Sequence, residues 1–256
     1  MRLALPSKLR PFFGYYGGKW RIAPRYPAPE HETIIEPFAG SAGYSLRYPD
    51  RRVILVDRDP VVVGTWRYLL RASEAEILAL PDLAPGQSVD DFPICQEARW
   101  LIGWHCGWGQ AIPGTRLSAG MIKHFTGGYG KPPSPCRCWG APMRERIASQ
   151  LPTIRHWQVI EGDYTDAPDI PATWHIDPPY QDAGRRYRHG SRAIDFQDLA
   201  AWCRTRQGQV MACENTGADW LPFRHFVDAR SCRGISREAI WTPEPTVTIL
   251  TGERAA

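Results

Sequence analysis

"RVILVDRDPVVVGTWRYLLR", residues 52 to 71, decides the fold. Val53 to Val56 form an apolar run of strand length that ends on Asp57. Pro60 then falls where a first helical turn tolerates a fixed φ and a missing amide proton. Just upstream, "TIIEPFAG" (33–40) reads as another short strand, entering a glycine-containing turn that leads into a helix. Residues 34 to 80 therefore run strand, turn, helix, strand, helix. The alternation returns after residue 142. "MRERIASQLPTI" (143–154) places Ile147, Leu151 and Ile154 on one helical face, and "WQVIEGDY" and "TWHIDPPY" supply two short strands. "DFQDLAAWCRTR" is a helix, "GQVMACENTG" a strand, and "REAIWTPEPTVTILTG" (237–252) a pair of strands joined by a Pro-rich turn. Alternating β and α elements predict a parallel, doubly wound α/β sheet, which holds ligands at the carboxyl ends of its strands where the topology switches direction.

Between 95 and 142 the pattern breaks into a stretch dense in Trp, Gly, Pro and basic residues. Residues 1–94 and 143–256 are thus expected to form one domain, interrupted by an insertion over 95–142. Trp100, Trp104, Trp108 and Trp139 are expected to bury one another as a small core for that insertion, with a stacking surface for bases as the alternative. At 256 residues the chain can bury a real core, and its apolar runs are far too short to span a bilayer. No export signal is evident in "MRLALPSKLRPFF", so a soluble protein of the cytoplasm is expected. Seven cysteines, an odd number, point to reduced thiols. Cys136 and Cys138 are one residue apart and have no second close pair, so structural zinc is not expected.

The net charge of +4 permits a polyanionic partner without requiring one. Its distribution says more. "GRRYRHGSR" gathers Arg185, Arg186, Arg188, His189 and Arg192 into nine residues, while Arg116, Lys123, Lys131, Arg137, Arg144 and Arg146 are spread through a stretch with Glu145 as its single acid. Either set could equally be solvated surface.

Three strand tips carry residues suited to chemistry. In "EPFAGSAGYSL" (36–46), Glu36, Phe38, Gly40 and Gly43 follow a strand. Glycines there let a nucleotide-like ligand come close to the backbone, although a packing turn would look the same. Asp57 can accept from both hydroxyls of a ribose, and Asp59, immediately before Pro60, is the better placed helix cap. In "DPPY", Asp177 ends a strand, Pro178 and Pro179 stiffen the turn and remove two amide donors, and Tyr180 offers an aromatic face. An amino group brought to this turn would meet the Asp177 carboxylate and the Pro178 carbonyl together.

"DPPY" after an apolar strand, "EPFAGSAG" upstream and "GYYGGKW" (14–20) together resemble, in that order, the Dam-type (class α, D12) DNA adenine N6-methyltransferases. The resemblance covers roughly residues 12 to 250. It implies a Rossmann-like S-adenosylmethionine-dependent methyltransferase sheet with an inserted target-recognition region at 95–142. It also implies S-adenosyl-L-methionine as cofactor and duplex DNA as partner, with no membrane and no obligatory protein partner, in a bacterial or phage-infected cell. Tyr15 and Lys19 would line the methionine end, with Glu36, Phe38 and Gly40 against the cofactor. Asp57 would hold the ribose, Asp163 and Tyr164 of "EGDY" would frame the adenine, and Asp177 would face both cofactor and amine. Tyr180 would receive a flipped base, and Arg185, Arg186 and Arg188 would hold phosphates around it. The chain departs from the family with Tyr15 in place of Trp and with Ala42 in the second glycine position of "FAGSAG". Methylation of the cytosine N4 amine, and a catalytically inactive DNA-binding relative, are the alternative expectations.

Overall fold

A computed structural model of the chain describes residues 9–125, 138–231 and 234–244. Lys131, Cys136, Arg137 and the "TVTILTG" half of the closing hairpin lie outside the described residues. Within them a mixed α/β architecture is built on one seven-stranded sheet in the order β3-β2-β1-β4-β5-β7-β6. The strands are β1 (Thr33–Glu36), β2 (Arg52–Asp57), β3 (Gln158–Glu161), β4 (Ala172–Ile176), β5 (Gly208–Asn215), β6 (Arg224–Ser231) and β7 (Gly234–Trp241). The first five are parallel, and β7 runs antiparallel to both of its neighbours.

Period-two alternation divides the strand side chains between two cores. Ile34, Val53 and Leu55 face one side, where α1 (Pro60–Arg71), α3 (Gln96–Gly103) and α5 (Ala141–Ile154) bury Trp66, Leu101, Ile147 and Leu151. Ile35, Ile54, Val56 and Trp174 face the other, against Leu199, Ala200 and Cys203 of α6 (Phe196–Thr205). Helices on both faces make the sheet doubly wound, as the alternation predicts. Helix α1 starts where expected: the Asp59 carboxylate accepts from the Val61 amide at 2.9 Å, with Pro60 in the first turn. A capping box between Ser73 and Glu76 then opens α2 (Glu74–Leu78). None of the described helices is long and apolar enough to cross a membrane.

Three expectations are corrected. The "FAGSAG" turn leads into a single 3-10 turn, Ser45–Arg47, and not into a full helix; Pro49 disfavours helical geometry at Tyr48 and stops it. "REAIW" pairs with β6 upstream and with β5, so the hairpin is β6–β7, a partner that the downstream Pro-rich stretch obscured. Finally, the described tryptophans of the insertion do not form a separate core. Trp104 and Trp139 are buried in the same cluster as the sheet, and Trp108 is half exposed. Trp104 donates to Thr65 of α1 and Trp139 to the Pro81 carbonyl. A Cβ on Gly64 of α1 would lie 2.4 Å from the Trp100 ring, so that glycine is the seat for the insertion's first tryptophan. Helix α4 (Ala119–Phe125) also belongs to the insertion, with Met121 in the shared core.

Candidate active site

Because β1 to β5 are parallel, their carboxyl ends lie on one edge of the sheet. Chain order reverses between β1 and β4, which opens a crevice there. The crevice holds about 770 Å³, part of it open to solvent. It is lined by Tyr15, Lys19, Glu36, Phe38, Gly40, Asp57, Asp163, Tyr164, Asp177 and Pro179. Residues more than 160 positions apart thus share one cleft. Pro178 and Tyr180 are buried behind it.

The turns around the cleft are locked by backbone approach. Gly40 sits at φ +45° with the Tyr15 ring against its α-carbon, and a Cβ on Gly43 would lie 2.6 Å from the Trp20 amide nitrogen. These glycines let "GYYGGKW" settle on "FAGSAG"; their close neighbours are the chain's own residues. Ala42 is the one non-glycine residue with positive φ among those described, at 52°. In the 3-10 turn that follows, the Ser45 N–H is already committed, donating to Glu36 Oε1 at 2.8 Å.

Asp59 is the helix cap, as the capping argument predicts, and Asp57 is left at the cleft. Asp57 accepts from the Gly40 amide at 2.9 Å through one oxygen and from the Asp59 amide at 2.9 Å through the other. Burial outweighs those two bonds and raises its carboxyl to about 6. Phe38 and Tyr164 stack with centroids 5.7 Å apart. Asp163 caps the turn carrying Tyr164 and lies 3.4 Å from Arg58.

Beneath the "DPPY" turn is a charged cluster. Lys19 is buried with its ammonium 2.9 Å from Asp177 Oδ1, 3.9 Å from Glu238 Oε2 and 3.1 Å from the Gly17 carbonyl. Burial opposes its charge, but the two carboxylates prevail and hold the ammonium well above the ordinary lysine value. Burial likewise pushes the Asp177 carboxyl up, against the pull of Lys19 and His175. Tyr180 departs from its expected place. Its ring is buried, its hydroxyl donates to Glu238 at 2.5 Å, and Lys19 lies 4.5 Å from its centroid. A phenol beside a carboxylate and an ammonium is better bonded inside than offered to a base.

The arginine-rich segment forms the mouth. Arg185, Arg188 and Arg192 line a shallow recess beside the cleft, Arg188 reaches Asp59 at 3.5 Å, and Arg186 lies 6.0 Å from the Tyr16 ring centre. Tyr187 from this segment donates to the Tyr16 carbonyl at 3.0 Å and fills the space beside Gly17. Four participants escaped sequence reasoning. Tyr187 lay inside a run read only for its arginines. Glu214 accepts from the Gln181, Asn215 and Trp220 N–H groups and so anchors the turn after "DPPY". His175, 3.4 Å from Glu36 and stacked flat on Tyr44, points into the wall of the cleft. Glu238 arrives from β7. An acid next to a strand-ending apolar run was the available signal for Glu214, and the other two carried none.

No family model matches the chain, and no curated protein matches it. Among solved structures, one described as a conserved hypothetical protein from Streptococcus pyogenes shares 11% identity with it. The match covers 88% of this chain and 92% of that one, at a TM-score of 0.36. At that score it bears on neither fold nor chemistry, which rest on the geometry above.

Proposed function

We propose that the chain is a site-specific DNA methyltransferase that moves a methyl group from S-adenosylmethionine to the N6 amine of adenine in duplex DNA, with the target base flipped out. One observation carries the proposal: "GYYGGKW", "EPFAGSAG", Asp57, Asp163-Tyr164 and "DPPY" all converge on one cleft at the topological switch of the sheet. The sheet itself is compatible with the Rossmann-like methyltransferase architecture that the resemblance implies.

The residues suit the cofactor. Phe38 and Tyr164 offer an aromatic pair for a purine, and each Asp57 oxygen, having accepted one amide, keeps a lone pair for a ribose hydroxyl. When bound, S-adenosylmethionine supplies an electrophilic methyl group on a sulfonium. The chain's own part is to prepare the amine. Asp177 Oδ1 is engaged by Lys19, and Oδ2, without a hydrogen bond among the described residues, is the oxygen left to accept an amine hydrogen. Drawing that hydrogen away favours a pyramidal nitrogen with a directed lone pair. As nitrogen gains the methyl carbon it loses a proton, and the raised affinity of the partly buried Asp177 carboxylate makes it the acceptor. Alignment supplies most of the rate, a term that reaches roughly 7–11 kcal/mol in well-oriented systems. With Tyr180 buried, stacking of an extruded base falls to the half-buried Tyr16 and Tyr187 at the mouth.

The test is incubation with radiolabelled S-adenosylmethionine and unmethylated duplex DNA, followed by digestion to nucleosides. Label in N6-methyladenine is expected, and it is lost in Asp177→Ala while DNA binding is kept. Label in N4-methylcytosine would move the target to the cytosine amine, and no label in any DNA would leave a DNA-binding relative without catalysis.

A further inference from the structure

We infer that Glu238 is a positioning residue that shares the Lys19 ammonium with Asp177 and so keeps Asp177 a stronger hydrogen acceptor than a simple lysine–aspartate pair would allow. The inference deepens the methyltransferase reading and rests on it for the catalytic consequence alone. Two carboxylates compete for one buried cation. Asp177 at 2.9 Å opens onto the cleft; Glu238 at 3.9 Å is 5% exposed and lies outside it. Glu238 is held by more than the lysine. Its Oε2 accepts the Tyr180 hydroxyl and its Oε1 accepts from Ser236 Oγ at 2.8 Å, while its strand is paired to β5 at Asn215. A carboxylate fixed this way cannot swing away when the cleft fills.

The charges support this role. Lys19 with Asp177 alone is neutral, and the ammonium would draw the whole of its field onto the acceptor. Adding Glu238 makes the group net negative, which raises the proton affinity of Asp177. The other groups facing Asp177 are the cation-forming His175, the carboxyl of Glu214 and the tyrosines 26, 180 and 187. Glu214 does not substitute for Glu238, because its two oxygens are committed to three N–H donors and it makes no contact with Lys19.

Glu238→Gln keeps the volume and an acceptor for Tyr180 while deleting the charge. In single-turnover methylation of duplex DNA, the acid limb of the pH–rate profile is expected to move down by about one pH unit. The plateau rate is expected to fall roughly three- to ten-fold. A purely structural role predicts the opposite displacement: a Lys19 freed from its seat would leave Asp177 unpaired and move the limb up. Carbon-13 NMR titration of labelled aspartate carboxyls, with Asp177 assigned by its absence in Asp177→Asn, reads the same shift without any methylation. A lower Asp177 titration in Glu238→Gln supports the inference even if no DNA is methylated. An unchanged or higher titration overturns it, whether or not the enzyme turns over. A folded variant is verified by its unchanged circular dichroism; should Glu238→Gln fail to fold, Glu238→Ala in the presence of acetate is read by the same titration, and recovery of a higher Asp177 value on adding acetate supports the role while no response overturns it.

Discussion

Gly43 shows how closely the site depends on single atoms. A Cβ there would lie 2.6 Å from the Trp20 amide nitrogen and 3.0 Å from that of Lys19, and backbone cannot step aside as a flexible side chain can. Gly43→Ala is therefore expected to cost about 1–3 kcal/mol in urea unfolding and to displace Lys19 from Asp177. Gly14→Ala, with open space around it, should stay within about 0.5 kcal/mol. That contrast marks how far the sequence could be read. Gly40 and Gly43 were legible as positions of close approach because they follow a strand ending in an acid. What approaches them was not legible: it is Tyr15, Lys19 and Trp20, more than 20 positions away, and no local periodicity encodes a contact of that span. The division between Asp57 and Asp59 was legible for the converse reason, since a cap and its Pro60 are neighbours in the chain.

Elements followed the same rule. β1, β2, β4 and β5 are short apolar runs ending at turn residues and could be read directly; β6, "RHFVDARS", the outermost strand among the described residues, carries four charged or titratable residues that hide its strand pattern. The insertion was legible by composition, but its union with the main core depends on α1. That union predicts a pH effect. His105 sits in the insertion with Nε2 3.1 Å from the Phe12 carbonyl and its ring beside Trp139. Burial, helped by nearby Arg146, lowers it to about 4, whereas the unfolded histidine titrates near its model-peptide value of about 6.5. Its neutral form is thus favoured by folding. The stability tied to it is complete above pH ~6.5 and is lost as pH falls toward 4. At pH ~5 the loss is about 2 kcal/mol, and His105→Gln, which keeps a donor for Phe12, should remove it in denaturation curves taken at pH ~5 and ~7.5. A second element test concerns α1: Asp59→Ala deletes the cap, costs about 1 kcal/mol and unties Arg188, so limited proteolysis should accelerate within 184–193.

Across the molecule, the modest net charge of +4 hides a marked asymmetry, because the exposed Arg185, Arg186, Arg188 and Arg192 crowd the one face where the cleft opens. A duplex drawn to that face would set its backbone against these arginines and bring a base to the cleft in the same motion, so affinity and access would share a surface. Each phosphate neutralised releases counterions and contributes about 0.9 to the slope of log K against log salt. Replacing Arg185, Arg186 and Arg188 by Gln should therefore lower that slope by about 2–3, measured by fluorescence anisotropy of a labelled duplex over a salt series. Arg188 sets the lower end of that range, since its pairing with Asp59 already offsets part of its charge. The single variants should then separate: Arg185→Gln, with no such partner among the described residues, lowers the slope by nearly the full increment, and Arg188→Gln by less. An unchanged slope in the triple variant would place the DNA on another face, away from the side of the cleft that Tyr187 lines through its bond to Tyr16.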